Sequence, residues 1–131
     1  MPMTRSGLLF AVPFLALGLA AATSARAQDA EAGRRVFNQC RACHTIDAGG
    51  RNGVGPNLHG ILGRKAASVQ GFNYSPAMKK KGEEGWVWDE EHLRTYLANP
   101  KEAVPGNRMI FPGLRNAQQM NDLIAYLKSQ S

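Results

Sequence analysis

Five consecutive residues, Cys40-Arg41-Ala42-Cys43-His44, contain both cysteines of this chain and one of its three histidines. Cys-x-x-Cys-His is the attachment signature of a c-type haem. One sulfur bonds to each of the two vinyl-derived carbons on one side of the porphyrin, and the adjacent His44 falls beneath the iron as an axial ligand. A chain carrying this motif has to fold around a large flat cofactor.

Other chemistries use a cysteine pair, and the rest of the chain argues against each. A structural zinc site needs four ligands, typically two such pairs or one pair with two spaced histidines. There is no second pair here, and His59 and His92 are not spaced as partners. A dithiol oxidoreductase sets its cysteines at the start of a helix in a βαβ unit, and no alternating or β-branched run is present to build one. A plain disulfide across so short a gap closes a tiny loop and stabilises little.

The N-terminus indicates the compartment. Met1 to Arg5 forms a positive n-region, Gly7 to Ala22 an apolar h-region, and Ala25-Arg26-Ala27 a small-residue cleavage site. The apolar run is shorter than the ~20 residues that span hydrocarbon and is interrupted by Pro13, so it reads as a leader and not as an anchor. Residues 1–27 are therefore expected to be a cleaved secretory signal peptide and 28–131 a single small domain in the periplasm. Losing Arg5 and Arg26 with the leader lowers the formal charge by two from +6. The remaining basic balance suits acidic partner surfaces. No basic stripe interleaved with aromatics suggests nucleic acid.

Along the rest of the chain the signals are helical. Asp29 caps a helix expected to run through about Cys40, with Ala32, Val36, Phe37 and Cys40 on one face. Gly33 within it suggests close approach of a neighbour. Residues 45–73 are rich in Gly, Asn and Pro without a sustained period, and so long a loop needs something to wrap around. Ser75-Pro76 opens a short helix with Gly82 as its stop. Asp89 caps another that buries Leu93, Tyr96 and Leu97 and breaks at Pro100. Asn116 opens the last, where Gln119 completes a capping box and Met120, Leu123, Ile124 and Leu127 form an apolar stripe. The first helix is its natural partner, with Gly33 admitting Tyr126 or Leu123.

Three methionines follow the leader. Met120 belongs to the apolar stripe, and Met78 sits in the short helix after Pro76. Met109 stands in Pro105-Gly106-Asn107-Arg108-Met109-Ile110-Phe111-Pro112-Gly113, a bracketed loop that no amphipathic pattern explains. A thioether in a stiff loop is a candidate for the second axial position.

Taken in order, Gly55-Pro56-Asn57-Leu58-His59-Gly60, Gly63-Arg64-Lys65, Gly71-Phe72-Asn73-Tyr74-Ser75, Tyr96-Leu97-Ala98-Asn99-Pro100-Lys101, the Pro105 to Gly113 loop and Asp122-Leu123-Ile124-Ala125-Tyr126-Leu127 resemble the class I cytochromes c, in the bacterial cytochrome c2 and mitochondrial-like branch. The resemblance implies an all-α fold of about four to five helices and long loops around one covalent haem, with the N- and C-terminal helices packed together. It implies attachment through Cys40 and Cys43, with His44 and Met109 on the iron. Pro56 would offer its carbonyl to the His44 ring nitrogen facing away from the iron. Arg64, Tyr74 and Trp88 would hydrogen-bond or neutralise the haem propionates. Tyr96 would lie near the Met109 sulfur, and Phe111 would cover the haem edge. Trp86 is left to ordinary packing.

Three positions depart from the pattern. Asn107 and Arg108 stand where the family commonly has threonine and lysine, and Met78 where many relatives have asparagine. Residues 83–88 look longer than in the mitochondrial relatives.

The implied activity is one-electron transfer by a periplasmic monomer, not enzymatic turnover. Donors and acceptors of the implied kinds are quinol-cytochrome c oxidoreductase and a reaction centre, terminal oxidase or denitrification enzyme. They would dock at a basic haem-edge rim drawn from Lys101, Arg108, Arg115, Arg41, Lys65 and Arg51, with the Lys79-Lys80-Lys81 run as either docking or solvated surface. A haem enzyme or gas sensor with an open iron site, and a thiol-disulfide protein without haem, are the alternative classes.

Overall fold

A computed structural model of the chain describes residues 29–131, and the expected leader at residues 1–27 lies outside the described residues. The described residues form five helices: α1 (Ala30–Phe37), α2 (Pro76–Glu83), α3 (Glu90–Ala98), α4 (Pro100–Ala103) and α5 (Ala117–Lys128). Among them there is no strand, and the one bridge outside the helices pairs Lys65 with Val87 in antiparallel sense. No described helix is long and apolar enough to cross a membrane.

Each main helix starts at a side-chain cap that takes up free N–H groups of the first turn. Asp29 accepts from Glu31 and Ala32, Ser75 from Met78, Asp89 from His92, and Asn116 from Gln119. Two expected ends move. Regular α1 stops at Phe37, three residues before Cys40, and the chain continues in tighter turns in which Asn38, Gln39 and Cys40 donate three residues back. The second helix runs past Gly82 to Glu83, and Gly85 beyond it takes the left-handed φ of +85°.

The terminal helices cross at Gly33. A Cβ there would overlap the Asp122 carbonyl and crowd Tyr126 Cβ, so the backbones touch because this residue has no side chain. Tyr126 is one of the two neighbours expected from the sequence, and the Asp122 carbonyl joins it. Phe37 packs on Tyr126 in a tilted pair at 5.3 Å between centroids, and Leu123 and Ile124 are fully buried beside them. Asp122 is a buried carboxylate, and it is paired: Oδ1 accepts from the Asp29 backbone at 3.0 Å and from Gln118 Nε2 at 2.9 Å. A buried carboxylate without such partners would be costly.

The loop of residues 45–73 is held by its own polar groups. Asn57 Nδ2 donates to Thr45 Oγ1 at 2.8 Å and to the Asp47 carbonyl at 3.0 Å, and Gly60 N–H reaches the Gln130 carbonyl near the C-terminus at 2.7 Å. Residues 63–66 lie along 86–88 through Gly63 to Trp88, Trp88 to Arg64 and Ala66 to Trp86. This lacing ties the loop to the start of α3.

Candidate functional site

Directly after α1, His44 N–H donates to the Cys40 carbonyl at 2.9 Å, which closes the cysteine pair and the histidine into one turn. Cys40 is half-buried and Cys43 exposed, and the two are not joined to each other. Burial pushes the Cys40 thiol up to about 11, with the neighbouring Cys43 adding to the shift, so it is a neutral thiol at ordinary pH. That is unlike the low-pKa, electropositive setting of a dithiol redox catalyst.

His44 is oriented by the loop that follows. Its Nδ1 lies 2.7 Å from the Pro56 carbonyl oxygen, which makes Nδ1 the protonated nitrogen and leaves the Nε2 lone pair available. Burial holds the imidazole pKa below its ordinary value, against the opposing pull of the Pro56 hydrogen bond, so the ring is neutral. Gly55 makes this approach possible: a Cβ there would overlap the imidazole.

Met109 lies half-buried in the loop between α4 and α5. Its sulfur is 4.0 Å from the Tyr96 hydroxyl of α3. Burial raises the Tyr96 pKa to about 12, so it remains a hydrogen-bond donor throughout the neutral range. Tyr96 packs on Trp88 at 5.0 Å, and Trp88 on Trp86 at 6.1 Å. Phe111 is half-buried in the same loop as Met109.

Arg64, Tyr74 and Trp88 gather from separate segments. Trp88 N–H donates to the Arg64 carbonyl at 2.8 Å. The Arg64 guanidinium donates to the Asn57 carbonyl at 2.8 Å and to the His59 carbonyl, two of the five N–H groups it carries. Burial lowers its pKa, and the nearby Tyr74 works in the opposite direction. The Tyr74 hydroxyl accepts from Val69 N–H at 3.1 Å, and burial raises its own pKa.

Trp86 is packing, as its sequence setting suggested. Its ring stacks on His92 at 4.1 Å with the Lys81 ammonium 4.9 Å from its centroid, and its Nε1 is buried without a partner. Met120 and Met78 are both buried in the core, Met78 with its N–H on the Ser75 cap at 3.1 Å. Of the lysine run, Lys79 and Lys80 are exposed, whereas Lys81 is half-buried and 3.6 Å from Glu84. Gly55 is a position at the site whose contact the sequence did not announce, whereas an amide at Asn107 was the expected substitute for the family's threonine hydroxyl. The signal for Asn107 was its departure from the family pattern.

These donors fit a covalently held haem. Two thiols lie in one turn with an imidazole whose outer nitrogen is tied off, and a neutral thioether stands in a separate braced loop. Among the described residues no three His, Cys, Asp or Glu side chains gather to hold a metal ion on their own.

Comparison with known proteins gives a consistent result. The cytochrome c family model matches residues 30–131. Cytochrome c2 of Blastochloris viridis is 46% identical over 109 residues, covering 83% of this chain and 84% of that protein. Cytochrome c-550 of Ancylobacter novellus is 50% identical over 97 residues, 74% of this chain and 91% of its own length. The solved structure of cytochrome cH from Methylobacterium extorquens superposes with a TM-score of 0.70 at 44% identity, over 77% of this chain and 98% of that one.

Proposed function

The chain belongs to the cytochrome c family, in its class I all-α, bacterial c2-like branch, and on that premise we propose that it is a soluble periplasmic one-electron carrier with His44 and Met109 as axial ligands. Members of this family carry electrons on a covalent haem and are not enzymes. The observation that carries the ligand assignment is the His44 imidazole, neutral, oriented by Pro56 and open at Nε2.

Cys40 and Cys43 would hold the haem through thioethers. When bound, it supplies the iron that gains and loses one electron. The Pro56 carbonyl fixes the His44 tautomer and raises its basicity as a ligand. The soft Met109 thioether would favour the reduced state of the iron, and the apolar surroundings would disfavour the extra positive charge of the oxidised one, so the pair would set a raised potential. With His44 and Met109 both holding the haem, the protein would leave no open position for substrate. Arg64, Tyr74 and Trp88 would hold the propionates, using the guanidinium N–H groups that the Asn57 and His59 carbonyls leave over. Phe111 would shield the haem edge.

The A-x-A site after Ala27 supports export, cleavage and residence of residues 28–131 as one domain in the periplasm. The exposed Lys65, Lys101, Arg108 and Arg115 would attract acidic redox proteins into brief encounters: a quinol-oxidising complex on one side, and a reaction centre, terminal oxidase or denitrification enzyme on the other.

The visible spectrum of the purified protein tests this. Narrow ferrous c-type bands and a ferric sulfur-to-iron charge-transfer band are expected. Rapid binding of carbon monoxide at neutral pH would overturn the closed-site reading, and a Met109→Ala variant that keeps the charge-transfer band would move the ligand to Met78.

A further inference from the structure

The side chain of Asn107 spends its whole hydrogen-bonding capacity on the segment around Met109. Oδ1 accepts from the Met109 backbone N–H at 2.9 Å and lies 3.5 Å from the Tyr96 hydroxyl. Nδ2 donates to the carbonyls of Pro100 and Val104, each at 2.8 Å. A primary amide has two donors and an acceptor with two lone pairs, and all are matched here. The network also settles its orientation: a flipped amide would set an oxygen against two carbonyls and an NH2 group against an N–H.

The two ends of this clamp differ in exposure. Pro100 and Val104 are buried in and just after α4, whereas Arg108 and Ile110 on either side of Met109 are exposed, Ile110 completely. Apart from the clamp, the Arg108 side chain reaches the Asn73 carbonyl at 3.3 Å, and that contact is exposed. Beside the backbone bond from the Asn107 N–H to the Val104 carbonyl at 3.1 Å, this amide joins an exposed loop to the buried core directly next to the sulfur-bearing residue. The Tyr96 hydroxyl, with one hydrogen to give, stands between Asn107 Oδ1 at 3.5 Å and Met109 Sδ at 4.0 Å.

We infer that Asn107 is the positioning residue of Met109, an amide clamp that holds the thioether loop against α4 and shares the Tyr96 hydroxyl with the sulfur. The inference rests on Met109 being the axial ligand. A neutral thioether is a weak ligand, and keeping it in place depends on the loop having few other conformations open to it. Cutting the clamp lets the loop swing away, strands the Met109 N–H and leaves the Pro100 and Val104 carbonyls with one backbone donor each.

The test uses the ferric holoprotein and the rate at which imidazole displaces Met109, followed by loss of the charge-transfer band. Asn107→Ala should speed displacement roughly tenfold, from the loss of two or three modest hydrogen bonds. Asn107→Thr, which keeps one acceptor and one donor, should fall between it and the unaltered protein. If Asn107→Ala does not assemble with haem, Asn107→Thr decides by itself. Displacement rates equal to that of the unaltered protein would overturn the inference, as would a lowered melting temperature with unchanged displacement, which marks a merely structural residue. An unaltered protein that lacks the band sinks the Met109 ligand assignment, a result distinct from loss of the clamp.

Discussion

The Pro56 carbonyl oxygen lies 2.7 Å from Nδ1 of His44, and the glycine before that proline is what lets the two meet, because any side chain at position 55 would occupy the space of the imidazole ring. The imidazole is thus aimed by a loop that follows it by only a dozen residues, well before any helix after α1 begins.

Gly55→Ala should displace the imidazole from the Pro56 carbonyl. Overpacking against the imidazole ring costs about 1–3 kcal/mol. The denaturant midpoint of the holoprotein should fall, and the reduction potential should drop or the ligand set change. A variant with both unchanged would show that the loop relaxes freely.

Gly33→Ala sets two effects against each other. Alanine favours an interior helix position by about 1 kcal/mol over glycine. Its Cβ would overlap the Asp122 carbonyl of α5, and neither backbone can yield without separating the terminal helices. Packing wins, and a net loss of about 2 kcal/mol is expected in urea unfolding.

Ala67→Gly should do the reverse. Ala67 has φ of +56° and is the one non-glycine residue at positive φ among the described residues. That region costs an L-residue about 1–2 kcal/mol, and glycine returns part of the gain as unfolded-chain entropy. A stabilisation of about 0.5–1 kcal/mol should appear as a raised midpoint without a change in spectrum.

Glu90 joins Arg94 of its own helix to Lys128 of α5. The hydrogen bond from Lys128, then that from Arg94, holds its carboxyl below the ordinary value of 4.5. Its contribution is therefore complete above that pH and is lost as pH falls through the lowered folded value. Glu90→Gln should remove about 0.5 kcal/mol near neutrality, a small amount because the group is solvent-screened, and should flatten the acid limb of the stability profile.

Electron transfer with an acidic protein partner should slow as salt rises. The Debye length shrinks from roughly 30 Å at 0.01 M to about 10 Å at 0.1 M, which screens the exposed Lys65, Lys101, Arg108 and Arg115. A bimolecular rate indifferent to salt would remove the steering role.

Helix starts were more legible than helix ends. Asp29, Ser75, Asp89 and Asn116 cap as their types and following residues indicate, since a cap is a local hydrogen bond. The ends shifted for tertiary reasons: Gly82 lies within α2, where a Cβ would overlap the Ala66 carbonyl, and was not the stop its residue type suggested. The apolar stripe of α5 is buried as its spacing requires, but nothing local announced that Asp122 within it would be buried as well, with the Asp29 N–H as partner.

By itself the sequence determined the chemical groups and their order: a cysteine-pair attachment turn with its adjoining histidine, a bracketed methionine loop and the helices that flank them. Those features are written in residue type and near-neighbour spacing, where the governing contacts are local. Tertiary structure alone decided how these side chains and helices are held: the Pro56 carbonyl on His44, the Asn107 amide between Met109 and α4, the Tyr96 hydroxyl beside the sulfur, and the backbone contact at Gly33. Each joins groups brought together by chain folding, so its geometry exists only once the loops have closed around the site.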